Sequence, residues 1–480
     1  MKNKFHLEVI IIAIFTLLYF ASRLQNLTAI PVFGDEAIYL RWSQIIKSVD
    51  TLRFIPQTDG KQPLFMWLTV ILYKFVHDPL TAGRLVSVFS GYLNLATIYF
   101  ICRYFFSWRL AILSSILYLC LPFTFFFDRL ALPDNLLSTL GTLSLLFSLL
   151  LAKYPRLDLA FILGTLLGLA WLTKSPAIYF ITLSLFTFIF FRPDNYKKIY
   201  LPLASILISV AIYNILRLGP QFGQIALRNR DYIWSLSELI HHPFDPFVPH
   251  LKDLLIIYWQ YLTWPIIFIS FFGLISRFRK LNQTHFIIFC WFILPLLANL
   301  AIAKVFTARY ILFTIPPLII LLTATLSYFN NYLLLLIFIP SLFFNYQIST
   351  SPFKTKLYIS EAGYLKSWTS GWGIEPAARY LIQRSLVANV IVGTEGYFGT
   401  LPDGLQIYTN QLSQLTVFGV GIDIVKIPEK LLDARNHGDE VYLLFNKSRL
   451  RLPPSELVQL TLITAFDKPD GDQLLLLKLN

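Results

Sequence analysis

Long apolar runs separated by short basic turns dominate this chain. Such runs read at about 7–22, 81–102, 110–127, 134–152, 158–173, 176–191, 198–216, 251–276, 284–303, 309–326 and 332–348. Several are near the lower limit of roughly 17–20 residues for crossing a bilayer. Two stretches have a different pattern. After Asp35-Glu36, the apolar residues Ile38, Trp42, Ile45, Ile46 and Val49 recur at helical spacing, with Arg41, Gln44, Lys47 and Ser48 elsewhere. That spacing predicts a helix lying on a membrane surface. Pro63–Val76 is apolar but only about fourteen residues long, too short to span, and reads as a second interfacial helix.

After Asn345 the pattern turns more polar, and residues 351–480 read as a separate small α/β domain. A helix is predicted over Glu375–Arg384, with Pro376 in its first turn. Strands are predicted over Val387–Val392, Gln406–Tyr408, Leu415–Phe418, Glu440–Phe445, Val458–Thr464 and Gln473–Leu479. The predicted organisation is a polytopic α-helical membrane domain over 1–350, with an outer loop at about 23–80 carrying the interfacial helices, followed by this domain.

Composition sharpens the class. The 480 residues are 56% hydrophobic and only 14% charged, with mean hydropathy +0.61. Soluble domains carry about a quarter charged residues, so this is a polytopic membrane protein. Its net charge of +13 marks cytoplasmic loops and phosphate sites rather than nucleic-acid binding. Cys102, Cys120 and Cys290 lie in or beside apolar runs without metal-ligand spacing and read as packing residues. Lys2 and Lys4 precede the first apolar run with no clean cleavage site after it, which reads as an uncleaved signal anchor.

Charge also orients the chain. With Pro63–Val76 on the surface, the short cytoplasmic loops hold Arg103 and Arg109, Lys153 and Arg156, Arg192 with Lys197 and Lys198, and Arg277, Arg279 and Lys280. About eleven spans follow, with the N-terminus inside and the C-terminus outside. Lys61, Arg84, Arg129, Lys174, Lys304 and Arg309 then fall on the outer face against the rule, and an anionic ligand there is the simplest reason. The outer loop 217–250 holds Tyr232, Trp234, His241, His242, Asp245 and His250, whose spacing matches no metal motif.

Four short stretches share the outer face: Gly34-Asp35-Glu36; Lys61-Gln62-Pro63-Leu64 leading to Ala82-Gly83-Arg84-Leu85; Arg129-Leu130-Ala131-Leu132-Pro133-Asp134; and Leu172-Thr173-Lys174-Ser175-Pro176. On position alone, Asp35 and Asp134 read equally as helix N-caps or as reactive carboxylates. Together the stretches resemble the polyprenyl-phosphate-sugar transferases of the GT-C superfamily, nearest the branch of protein O-mannosyltransferases and the lipid A aminoarabinose transferase. The match runs in order across 1–200 and more loosely to Arg309-Tyr310. Gln62, Pro133 and Ser175 depart from the proline, threonine and glycine of the family pattern.

The resemblance implies a membrane glycosyltransferase moving a sugar from a polyprenyl-phosphate donor to an acceptor hydroxyl, with inversion. Asp35 is the expected base, Glu36 its support and Asp134 a further catalytic acid. Lys61, Arg84, Lys174, Arg309 and Tyr310 are expected around the leaving phosphate, since fixed cations stabilise the charge it gains. No cofactor is required; a divalent metal is compatible but unsupported by sequence. The expected partners are the lipid-linked donor, a lipid, glycan or protein acceptor, and the bilayer. The expected location is the plasma (inner) membrane, with the active site and C-terminal domain extracytoplasmic. The alternative is a transporter or flippase of lipid-linked sugars, which would not need paired carboxylates.

Overall fold

The computed structural model describes residues 2–191, 197–241, 244–268, 282–327, 329 and 331–480. Arg192, His242, Arg277, Arg279 and Lys280 lie outside the described residues. The chain divides into two compact units. The first comprises Met1–Gln25, Thr51–Leu68 and Arg84–Tyr346; the second comprises Asn26–Asp50, Thr69–Gly83 and Gln347–Asn480.

The first unit is helical. Among the described residues, six helices are long and apolar enough to cross a membrane: His6–Leu24, Pro79–Phe105, Pro133–Lys153, Tyr200–Leu218, Gln283–Ile302 and Ala308–Leu326. Trp108–Cys120, Leu157–Thr173 and Ser175–Phe191 are apolar but shorter. The run expected at 110–127 breaks in two, because Pro122 holds Leu121 extended (φ −62, ψ 128) and a new short helix starts there. Leu64–Leu72 is a nine-residue helix, about 13 Å long, under half of a roughly 30 Å hydrocarbon core. It does not cross.

Buried polar residues tie these helices together. Asp128 accepts hydrogen bonds from Tyr19 and Tyr118, each at 3.1 Å, and pairs with Arg23 at 3.3 Å. Arg23 also donates to the carbonyls of Leu119 and Tyr118. Gly91 makes room for the knot: a Cβ there would meet the Tyr19 hydroxyl at 2.3 Å and Asp128 Oδ1 at 2.4 Å. Removing one member would strand an ionic or polar group in the interior.

The second unit contains a five-stranded sheet in the order β2-β1-β3-β5-β4. The strands are β1 Val390–Glu395, β2 Leu415–Gly421, β3 Glu440–Asn446, β4 Leu460–Asp467 and β5 Gln473–Leu479. β1 runs parallel to both β2 and β3; β5 is antiparallel to β3 and β4. The helices Asp403–Thr409 and Glu429–Asn436 make the two parallel crossovers. Val441, Leu443 and Phe445 of β3 pack with Ile427, Leu431, Leu477 and Leu479 in a dry core. The strand expected at Gln406–Tyr408 is therefore a helix. Leu405, Ile407 and Thr409 alternate as in a strand, but in seven residues that period is ambiguous.

The Gly34–Ser48 helix, read from sequence as a surface helix, belongs to this unit. Its buried face is Glu36, Ala37, Tyr39, Leu40, Ser43, Gln44 and Ile46. The apolar stripe of Ile38, Trp42 and Ile45 is only half-buried, and Val49 is exposed. Packing turned the helix because its polar side chains have partners in the C-terminal domain. Gln44 donates to the Ile407 carbonyl at 2.8 Å, and Arg41 to Asn410 at 2.8 Å.

Candidate active site

In the first unit, three of the motif stretches meet. Gly60 occupies the left-handed region (φ 64), and a Cβ there would sit 2.4 Å from the Cβ of Arg228. Glycine thus lets the Lys61 turn approach the Gly223–Tyr232 helix closely. Lys61 Nζ donates to the Tyr232 hydroxyl at 2.8 Å and lies 4.6 Å from the centre of its ring. Gln62 donates to Ser175 Oγ at 2.8 Å, and Ser175 to Asn229 Oδ1 at 3.0 Å. These bonds lock the second and fourth stretches onto the loop helix.

Lys174 stands one residue before Ser175. It donates to Asp134 Oδ1 at 2.6 Å and lies 4.4 Å over the Tyr310 ring. Tyr310 also carries Arg309, 5.0 Å over its ring, and meets Tyr232 edge-on at 6.2 Å. Arg228 lies 5.5 Å over Tyr232 and pairs with Asp59 and Asp231. Two tyrosines are thus ringed by Lys61, Lys174, Arg228 and Arg309. Among the described residues, Lys61 has no carboxylate within ion-pair reach.

Asp134 is not an N-cap. Leu132 holds that position and Pro133 opens the helix, so Asp134 sits in its first turn. It is only 2% exposed, and its Oδ2 has no hydrogen-bond partner among the described residues.

Arg84, in the Pro79–Phe105 helix, is fully buried, as is Arg129. Arg129 donates to the Gln25 carbonyl at 2.9 Å and lies 4.9 Å over Phe125. Burial, then the nearby charges of Arg84 and Arg23, push Arg129 down to about 9. Neighbouring buried guanidiniums repel each other, which disfavours the charged form of Arg129.

In the second unit, the acid pair divides its labour. Phe33 is the N-cap of the Gly34–Ser48 helix, so Asp35 is not. Glu36 is fully buried and its carboxylate accepts the Phe33 N–H at 3.0 Å, satisfying a backbone donor at the start of the helix. Asp35 is half-buried in the first turn. Gly34 N–H is bound by the Thr369 carbonyl at 3.1 Å, which fixes the start of the helix within this unit.

Of the loop histidines, His241 and His250 are among the described residues and have separate partners. His250 is buried, bound to the Leu300 carbonyl at 3.1 Å and stacked on Phe306. His241 contacts the Ser237 carbonyl. Among the described residues, no three His, Cys, Asp or Glu side chains gather as a metal site. Sequence reading left Tyr232, Arg228 and Arg129 without a role. Arg129 carried one signal, as a basic residue on the outer face against the charge rule.

Residues 60–217, which hold Lys61, Arg84, Asp134 and Lys174, match the family described as dolichyl-phosphate-mannose-protein mannosyltransferase. The fold agrees over nearly the whole length. ArnT from Cupriavidus metallidurans bound to undecaprenyl phosphate superposes with a TM-score of 0.62 at 14% identity, covering 98% of each chain. Apo ArnT gives 0.58 at 15% identity, covering 99% of this chain and 98% of ArnT. The oligosaccharyltransferase of Archaeoglobus fulgidus gives 0.51 at 11% identity, covering 91% of this chain and 69% of that one. At these identities the likeness is one of fold. Comparison with curated proteins finds no match.

Proposed function

We propose that this chain moves a sugar from a polyprenyl phosphate to an acceptor hydroxyl on the extracytoplasmic side of the plasma membrane. The observation that carries the reading is the cationic ring around Tyr232 and Tyr310, with Lys61 lacking a carboxylate partner among the described residues. A phosphodiester that becomes a phosphate monoester gains negative charge as it leaves. Fixed cations held on aromatic faces stabilise that charge without reorganising. Lys61 and Arg309 are the leading phosphate ligands, with Arg84 a further candidate. Lys174 acts chiefly through Asp134, whose carboxylate it holds in place. The ArnT structure contains undecaprenyl phosphate, and a lipid of that kind is the donor proposed here.

The acceptor hydroxyl loses its proton to Asp35 as its oxygen bonds to the anomeric carbon. The bond from that carbon to the phosphate oxygen breaks, and polyprenyl phosphate departs with the electron pair. A single displacement inverts the anomeric centre. Glu36 supports Asp35 by capping the helix that carries it. Cations can neutralise the leaving phosphate, so the proposal requires no metal. About eleven spans, N-terminus inside, would put residues 351–480 on the extracytoplasmic side, the orientation that the charge pattern of the loops favours.

The test is purified full-length protein given radiolabelled polyprenyl-phosphate sugars in turn, with lipid phosphate release and sugar transfer followed together. Equal release and transfer from one donor is expected. Translocation of labelled lipid across proteoliposomes, with no release from any donor, would contradict the reading.

A further inference from the structure

The proposed chemistry assigns nothing to the C-terminal domain. Strand order 2-1-3 with all three strands parallel creates a topological switch point at β1 and β3. In open sheets of this kind, ligands bind outside the carboxyl ends of the strands at that point. Here those ends are Glu395-Gly396 after β1 and Asn446-Lys447 after β3.

Three large aromatic side chains stand exposed across this edge: Trp368 at 44%, Tyr397 at 73% and Phe398 at 67%. Trp368 is on the β3 side, with Arg449 stacked 4.3 Å over its ring. Arg449 in turn lies 3.8 Å from Glu395, at the end of β1. Tyr397 is on the β2 side, where its hydroxyl would lie 3.1 Å from a Cβ on Gly421. Gly396 and Gly421 bond to one another and both have positive φ, so the Tyr397-Phe398 turn is held at both strand ends.

The charged groups at this edge are already satisfied. Glu395 accepts from the backbone and side-chain amides of Asn446 at 3.0 and 2.6 Å. Lys468 donates to the carbonyls of Ser367 and Ser370 at 3.0 and 2.8 Å. The edge therefore offers flat rings and hydroxyls rather than an uncommitted charge. That chemistry suits a neutral ligand with C–H faces and many hydroxyls, which is a sugar ring.

The edge is also joined to the acid helix. The Thr369 carbonyl accepts both the Gly34 N–H at 3.1 Å and the Thr400 hydroxyl at 3.1 Å. Trp368 precedes Thr369, and Phe398 lies two residues before Thr400. One carbonyl thus fastens both aromatic segments to the residue before Asp35.

We propose that Trp368, Tyr397 and Phe398 form the acceptor-recognition surface, and that the acceptor presents a neutral sugar ring to it. This rests on the reading of Asp35 as the base that receives the acceptor proton. The test uses the full chain in nanodiscs and tetrasaccharides of mannose, glucose and N-acetylglucosamine, with saturation-transfer NMR as the readout. At least one tetrasaccharide should receive saturation from the wild type. The signal should fall fivefold or more in Tyr397→Ala with Phe398→Ala, and in Trp368→Ala, while Trp368→Phe keeps most of it. Binding of undecaprenyl phosphate, measured on the same samples, should be unchanged in every variant. Failure of the wild type to bind that lipid would count against the donor reading alone. No saturation transfer to any tetrasaccharide, or equal transfer in the alanine variants, would overturn the proposal. So would a Phe398→Trp protein whose added fluorescence is quenched by brominated lipid, since the rings would then lie in the bilayer.

Discussion

Lys174 donates to Asp134 across 2.6 Å, and the other carboxylate oxygen of Asp134 has no hydrogen-bond partner among the described residues. Lys174 keeps 21% of its side chain exposed while Asp134 keeps 2%. The pair is therefore asymmetric: losing the lysine strands a buried charge, whereas losing the carboxylate frees a cation that can reach water. Lys174→Met should be clearly less stable than Asp134→Asn, and adding Asp134→Asn to Lys174→Met should restore much of the loss. A coupling of roughly 1–3 kcal/mol is expected from the double-mutant cycle in thermal or denaturant unfolding. Additive effects would mean that the two residues do not act as a pair.

Lys61 and Arg309 should hold the donor phosphate. A charge-assisted contact contributes roughly 1.5–3 kcal/mol, so Lys61→Met or Arg309→Ala should weaken undecaprenyl phosphate binding about tenfold or more. Tyr232→Phe should cost far less, because Tyr232 positions Lys61 rather than the phosphate and its ring stays under the ammonium. Unchanged lipid affinity in folded Lys61→Met and Arg309→Ala proteins would remove both from the site.

The orientation rests on the loop charges and on the short Leu64–Leu72 helix. Glu429 is well exposed on the C-terminal domain. A cysteine at Glu429 should be labelled by a membrane-impermeant maleimide in intact cells, while one at Lys197 stays protected. The reverse pattern would invert the topology.

Burial pushes the Asp403 carboxyl up to about 6, even though it accepts the Gly399 N–H at 2.6 Å. The folded value is above the ordinary one near 3.8. Its contribution to stability is thus full below about 3.8 and is lost as pH rises through about 6. Asp403→Asn keeps an acceptor for Gly399 and has no charge to bury. The stability difference, variant minus wild type, should grow between pH 4 and pH 7. A difference independent of pH would remove Asp403 as its source.

Part of this was legible from residue order alone. Lys61, Asp134, Lys174 and Tyr310 were singled out by their motifs, and the structure brings all four to one cluster. Tyr232 and Arg228 were not assigned, because they lie in a loop whose sequence carries no periodic pattern and their partners are distant in sequence. The Gly34–Ser48 helix was anticipated as a helix, but its buried face was not. Hydrogen bonds from Gln44 and Arg41 to the C-terminal domain decided that face, and no local pattern encodes them. The supposed N-caps failed for a local reason. Phe33 and Leu132 hold the cap positions, and Asp35 and Asp134 fall within the first turns.

The central claim is that Asp35 takes the acceptor proton. Asp35→Asn removes the base and leaves the bond from the Phe33 N–H to Glu36 intact. Its structural cost should be small, about 0.3–1 kcal/mol from the lost interaction with the helix dipole. Sugar transfer should nevertheless fall roughly 10²–10⁴-fold, with undecaprenyl phosphate binding and thermal stability close to wild type. Measuring transfer, lipid binding and unfolding on one Asp35→Asn preparation is the most direct test. Near-normal transfer by that protein would contradict the account and make Asp35 a residue of the fold.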